Sequence, residues 1–327
     1  MTAQSPGNRY GIRRLAALSK DIPEHFPWIP WGLVLPTFFL AISILDLGRH
    51  YLEVTGVDAR IYVRAATAFR LGGDAWQAFV ADPGGSVWHF AALPPTVLAF
   101  VPLSYLPENL AVWLVLWASL LSAYWIVRAL KLPIWWLLFP PMVQGIWAGN
   151  PQIILLAMLL SGSSVLKGLA PMLKIYALAP LVGERWIRAL FLAVIFLLAS
   201  YVIAPDLWTT YFTHSGAIAS RLLGEAKGGY APIYNSAVLL AATVTGLGLL
   251  ALADIRAAGW LVGPGLVPAS QFHLSTMAMP ILARDNSLIL TVLFAMPVRG
   301  LPSATIAVYG AWRCYAIVRA RRTGSQL

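Results

Sequence analysis

Long apolar runs recur from Trp31 to Val318, separated by breaks too short to hold a soluble domain, and they restrict the fold of this chain more than any other feature. Each run that nears 20 residues matches the roughly 30 Å hydrocarbon core of a bilayer, where every backbone polar group needs a partner within its own segment. The pattern predicts an all-α, polytopic transmembrane helical bundle, and the strict alternation of an outer-membrane barrel is absent. Composition agrees, because 59% of the 327 residues are hydrophobic and only 11% are charged. The net charge of +10 does not point to nucleic acid: the basic residues gather at segment ends, where they orient helices and meet anionic membrane lipids. A single cysteine, Cys314, excludes an internal disulfide.

Residues 1–30, with Arg9, Arg13, Arg14 and Lys20, read as a cytoplasmic N-terminal segment, and the run from Trp31 to Leu47 reads as a retained first span. The loop over 46–92 then falls on the outer side and collects Asp46, Glu53, Asp58, Asp74 and Asp82, five of the 13 acidic residues. Further spans are expected at 93–106, 108–130, 132–148, 150–166, 168–183, 186–204, 233–252, 257–271, 273–297 and 302–318, giving roughly 10–12 within a single domain over 31–318. The 273–297 segment is either one span or two short passes broken at Arg284-Asp285-Asn286. Prolines including Pro94, Pro102, Pro140, Pro151 and Pro171 shorten or kink several of these, so short, broken or re-entrant helices lining a cavity are expected. The cluster Glu184–Arg188 and the basic tail over 319–327 belong in the cytoplasm. Arg128 and Lys131 then fall outside unless 93–106 is re-entrant. In both cases the second outer loop, over 205–231, faces the first across one cavity.

Asp58, in Gly56-Val57-Asp58-Ala59-Arg60-Ile61-Tyr62, is a carboxylate at the membrane surface, placed to take a proton as a general base or else to N-cap the helix that follows. Arg60 and Arg64 lie four apart on one helix face, suited to a phosphate or to lipid headgroups. Lys174 sits in an apolar segment, where an unpaired ammonium costs about 2.5 kcal/mol or more; it contacts a phosphate or polar pocket, or snorkels to an interface. His273, at the mouth of a late span, is placed to orient an acceptor, to bond a phosphate, or to sit at the interface. No His or Cys pair has metal-ligand spacing, and no Walker motif, dinucleotide turn or nucleophile elbow is present, so neither metal nor cofactor is expected.

The order Asp58, Tyr62, Ala65-Ala66, Gly72-Gly73, Phe90-Ala91-Ala92-Leu93-Pro94-Pro95, Pro102-Leu103, Leu106-Pro107 and Trp113 resembles the opening third of glycosyltransferase family 87, in the GT-C superfamily. Gly149-Asn150-Pro151-Gln152 resembles that family's Gly-Gln-x-Asn turn with the amides permuted, and Gly168-Leu169-Ala170 through Leu173-Lys174-Ile175-Tyr176 resembles its Gly…Leu-Lys-Pro segment. Glu184-Arg185-Trp186 resembles its basic-Trp helix start, and Pro268-Ala269-Ser270-Gln271-Phe272-His273 its Ser-Pro-x-Ser-x-x-His turn. The resemblance covers about residues 31–283. Ile175 stands where the family usually has Pro, and Ala92-Leu93 replaces its usual aromatic. It implies an inverting hexosyltransferase, moving mannose from a polyprenyl-phosphate donor to a lipid or glycan acceptor at the outer face of a bacterial-type inner (plasma) membrane. Asp58 is then the base, with Tyr62, Arg60, Arg64, Asn150, Gln152, Lys174 and His273 binding donor phosphate or substrate. A transporter or flippase would share the broken helices and the embedded lysine, though no internal repeat is evident, and a non-catalytic scaffold subunit is a third reading.

Overall fold

A computed structural model describes residues 31–50, 55–81, 87–228, 236–267 and 272–323. Expectations for residues 1–30, for Glu53 and Asp82, for Pro268 to Gln271 and for the last four residues of the tail lie outside the described residues. The described chain is all-helical apart from one short antiparallel strand pair.

The first helix, α1 (Trp31–His50), is followed by α2 (Val57–Arg70), which carries Asp58. Gly56 opens α2 with φ 71°, and a Cβ there would lie 2.4 Å from Val112 Cγ1, so only glycine allows both this turn and its close approach. Gly56 is therefore the N-cap, and Asp58 sits inside the first turn without a capping bond, which corrects the reading of Asp58 as the cap. After α2, β1 (Phe79–Ala81) pairs with β2 (Val87–His89), Val80 opposite Trp88.

The expected span at 93–106 is α3 (Pro94–Phe100) followed by a 3-10 turn over Val101–Tyr105. Paired prolines start it, Pro102 tightens the next turn, and seven residues reach only about 10 Å, so it does not cross. By contrast α4 (Glu108–Ala129) runs 22 residues, about 33 Å, with its start beside α2 and Arg128 at its far end. Arg128 and Lys131 therefore lie at the end of α4 opposite α2.

Where spans were expected at 132–148 and 150–166, α5 (Pro140–Ala148) and α6 (Gln152–Leu160) meet at 118°. The 168–183 run divides at Lys174 into α7 (Ser164–Leu173) and α8 (Leu178–Gly183). Next come α9 (Ile187–Ile203) and α10 (Pro205–Gly228), meeting at 98°. The segment expected as an outer loop at 205–231 is thus mostly helix, opened by Pro205 with Asp206 in its first turn and burying Leu207 and Ile218. The chain closes with α11 (Ala237–Ala253), α12 (Ile255–Leu266), a 3-10 segment over Phe272–Ala278, α13 (Met279–Asp285), α14 (Leu288–Ala295) and α15 (Leu301–Thr323). Asn286, at φ 47°, makes the break expected at Arg284-Asp285-Asn286.

Among the described residues one helix, α4, is long and apolar enough to cross a membrane, or up to three spans exist if each bent pair is one span. The ten to twelve continuous spans expected from hydropathy are mostly shorter helices, because Pro and Gly interrupt runs whose apolar length alone would suffice. Two apolar cores form. One gathers Phe39, Phe139, Met142, Leu155 and Trp260 inside the helical bundle; the other packs Ala59, Tyr62, Ala65 and Ala66 of α2 against Phe90, Phe100 and Val112. Outward, α4 exposes Trp113, Trp117, Leu121 and Trp125, and α9 exposes Phe191, Leu198 and Val202. Contiguous apolar faces of this kind meet lipid or another chain.

Candidate functional site

Two helix breaks and α2 converge on a cavity of about 330 Å³. Asp58 and Tyr62 come from α2, Asn150 and Gln152 from the α5–α6 break, Lys174 from the end of α7, and His273 from the 3-10 segment. Trp88, His89, Phe90, Tyr176 and Tyr211 supply aromatic walls. Residues of both segments expected to face each other, around 46–92 and 205–231, line it; they also join directly, where Arg221 donates to the Trp76 carbonyl at 3.0 Å.

Local sequence explains each placement. Gly149 ends α5 with φ 66°, and a Cβ there would sit 2.7 Å from the Ala59 Cβ, so glycine against alanine brings the α5–α6 turn onto α2. The Gly56 N–H donates to the Trp147 carbonyl at 2.9 Å, a second tie between the same two elements. Consequently Asn150 Nδ2 reaches Asp58 Oδ2 at 2.7 Å, while Asn150 Oδ1 accepts the Gln152 N–H at 3.0 Å. Lys174 leaves the α7 helix in extended conformation (φ −152°), and Thr96 of α3 holds the end of α7 by donating to the Met172 and Leu173 carbonyls at 2.9 and 3.1 Å. The short α3 is thus a strut under the site. Lys174 Nζ lies 5.1 Å from the Tyr62 ring centroid, within cation–π range.

His273 is anchored through its backbone. Its carbonyl accepts from Gln152 Nε2 at 3.0 Å and its N–H donates to Gln144 Oε1 at 2.9 Å. Gln144 in turn donates from Nε2 to Asp46 Oδ2 at 2.8 Å, which fixes the orientation of its amide. Gln152 also donates to Thr276 Oγ1 at 2.7 Å and accepts the Tyr176 hydroxyl at 2.9 Å. The His273 ring is 4% exposed, and its buried Nδ1 has no hydrogen-bond partner among the described residues. A buried imidazole nitrogen left open beside a cavity is placed to bond whatever enters.

Electrostatics separate the groups on α2. Burial pushes the Asp58 carboxyl above its ordinary value, against a smaller opposing pull from the Asn150 hydrogen bond and the Lys174 charge. The same burial, with the Asp58 charge, pushes the Tyr62 phenol well up, so it stays protonated. His89 is lowered by burial and by the Arg221 charge. A carboxylate made more basic, near a fixed cation and an open imidazole, is equipped for proton abstraction beside a group that gains negative charge.

Arg60 and Arg64 do not join this cavity. Both pair with Glu108 at the start of α4, at 2.8 and 2.9 Å, and Arg64 also donates to the Phe79 carbonyl at 3.0 Å. They stand two positions from Asp58 and Tyr62, about 200° around the helix, so they point away from the base. Expected to contact a donor phosphate, they instead dock α2 onto α4 and are not among the residues lining this cavity. Two residues that sequence reasoning did not place at the site, Gln144 and Asp46, support His273. Their signal in the sequence was a lone amide within the apolar run 140–148 and a lone carboxylate near the end of the run from Trp31 to Leu47.

No family model, curated protein or solved structure matches this chain.

Proposed function

We propose that this chain is a polytopic membrane glycosyltransferase of GT-C type that moves a hexose, mannose in the first instance, from a polyprenyl-phosphate donor to a lipid-linked or glycan acceptor, with inversion. One observation carries the reading: Asp58, Lys174 and His273, polar groups from three distant parts of an otherwise apolar chain, line a single aromatic-walled cavity. In this reading α4 and the broken helix pairs cross the membrane, and α2 lies outside the spans at the outer face of a bacterial-type inner membrane. The basic end of the molecule then faces the cytoplasm.

In this reading an acceptor hydroxyl sits against Asp58, whose Oδ2 is occupied by Asn150, leaving Oδ1 to take the proton. As the hydroxyl oxygen attacks the anomeric carbon from the face opposite the phosphate, the bond from carbon to phosphate oxygen breaks and its electron pair leaves with the phosphate. Lys174 offsets that growing charge and His273 bonds the phosphate or the acceptor. One base suffices, because the donor already carries its leaving group. The aromatic walls offer faces for the sugar ring and the first isoprene units.

The test is direct. Purified protein, given polyprenyl-phosphate mannose, glucose or galactose with a membrane lipid extract, should release polyprenyl phosphate in step with appearance of a hexosylated product, read by mass spectrometry. Release from none of the donors overturns the reading.

A further inference from the structure

A second cavity, about 570 Å³, lies between α14 and α15 and shares no lining residue with the first. It follows one face of α15, from Leu301 through Ala304, Thr305, Val308, Tyr309 and Trp312 to Arg313, roughly three turns or about 18 Å. Toward Leu301 and the facing Leu290 and Leu293 its walls are apolar. At the other end Arg284 and Arg313 meet, because both reach Asp254, at 2.8 and 3.3 Å. The space is an apolar groove with a polar head.

The hydrogen-bond inventory of that head says which chemistry it accepts. Asp254 already receives Arg284, Arg313 and the Ala257 N–H, and Asp285 receives Arg284 Nε at 2.9 Å and the Tyr309 hydroxyl. The acceptors are thus engaged, whereas donors remain over. Among the described residues Arg313 Nε is buried without a hydrogen-bond partner, and so, about 12 Å along α15 toward the Leu301 end, is Oγ1 of Thr305, a residue only 5% exposed that lines the groove. A buried donor left unpaired is costly, and an acceptor-rich ligand relieves it.

Position narrows the ligand further. α12 starts at Asp254 and ends at Val267, which lines the Asp58 cavity; the stretch from His273 to Arg284 makes the same passage in reverse. The two cavities therefore sit at opposite ends of α12, about 18 Å apart along it. The groove is at the end where Arg319, Arg321 and Arg322 follow Arg313 in sequence, the side at which basic residues meet anionic lipid.

We infer that this groove binds one anionic phospholipid, its phosphate on Arg313 and its acyl chain between α14 and α15. The inference rests on the membrane reading of the chain and not on glycosyl transfer. Full-length, delipidated protein in detergent should retain phosphatidylglycerol in native mass spectrometry at least about tenfold more tightly than chain-matched phosphatidylethanolamine. Ala304→Trp fills the groove without touching an ion pair and should abolish retention, and Arg313→Gln should weaken it by about tenfold. If Arg313→Gln does not fold, Ala304→Trp decides alone. Equal retention of the two lipids overturns the proposal, as does unchanged retention in Ala304→Trp. Displacement by inorganic phosphate as effective as by lipid removes the acyl chain from the site and also overturns it. No arm uses a glycosyl donor, so a failed transfer assay and a failed lipid assay are separate results.

Discussion

Replacing Asp58 with Asn keeps the shape of the side chain and removes the base. Asn150 Nδ2 donates to Asp58 Oδ2 at 2.7 Å, and an asparagine at 58 preserves that bond by turning its carbonyl toward Asn150. Loss of a general base costs about 10²- to 10⁴-fold in rate, or roughly 2.7–5.4 kcal/mol of barrier at 1.36 kcal/mol per tenfold. Turnover of a polyprenyl-phosphate hexose by Asp58→Asn should fall by that factor while donor affinity stays close to wild type. A second readout has the opposite sign. Burial raises the Asp58 carboxyl in the folded state, so the wild-type chain loses stability as pH climbs from the unfolded value, about 3.9, through the higher folded one. The asparagine variant has no such loss. Its melting temperature should therefore gain on wild type as pH rises across that window and then hold a constant lead, worth about 1.4 kcal/mol for each pH unit between the two pKa values. The acid limb of wild-type turnover should lie above the ordinary carboxylate range for the same reason. Turnover within about threefold of wild type would falsify the assignment of Asp58 as base; a stability gap that does not widen with pH would refute the burial argument.

Lys174→Met should lower turnover by about 10²-fold and donor affinity by much less, since the ammonium answers charge that grows in the transition state; an affinity loss equal to the rate loss contradicts this role. Gln144→Met removes the amide that bonds both Asp46 and the His273 N–H, so thermal unfolding should show a loss of about 1–3 kcal/mol, and an unchanged melting temperature removes the support assigned to Gln144. Gly149→Ala meets both a left-handed backbone and Ala59 Cβ at 2.7 Å, which together cost about 2–5 kcal/mol, whereas Gly162→Ala, with nothing within 4 Å, should cost little; equal effects would place the α5–α6 break elsewhere. In a Cys314→Ala background, Ser215→Cys should react with a membrane-impermeant thiol reagent from outside intact cells, and labelling only after permeabilisation inverts the topology.

The functional candidates were visible in the sequence because polar groups in an apolar chain are conspicuous. Asp58, Lys174 and His273 each interrupt or flank a hydrophobic run, where an unsatisfied charge or ring nitrogen costs enough that a partner or ligand is expected. The helical class followed from the same hydrophobicity. Arg60 and Arg64 were grouped with that site, yet an offset of two residues from Asp58 and Tyr62 turns them to the opposite face of α2. Hydropathy misjudged span length: a proline or glycine ends a helix while leaving the apolar average unchanged, so 93–106 reads as a crossing yet folds as a strut beneath Lys174.

What only the tertiary structure decided is which interruptions meet. Periodicity reports a residue's neighbours within a turn or two, whereas Asn150 bonds Asp58 across 92 positions and Gln144 bonds Asp46 across 98. The Asn150–Asp58 pairing depends on Gly56 and Gly149, two points where the backbone turns left-handed and lets α2, α4 and the α5–α6 break approach without a side chain between them. The sequence by itself determined the apolar patterning, the helical class and the residues that carry charge. Packing of those helices determined that Asp58, Lys174 and His273 share one cavity while Arg60 and Arg64 serve Glu108, because contact between distant segments is set by the shape of whole helix faces and not by the local pattern of any one of them.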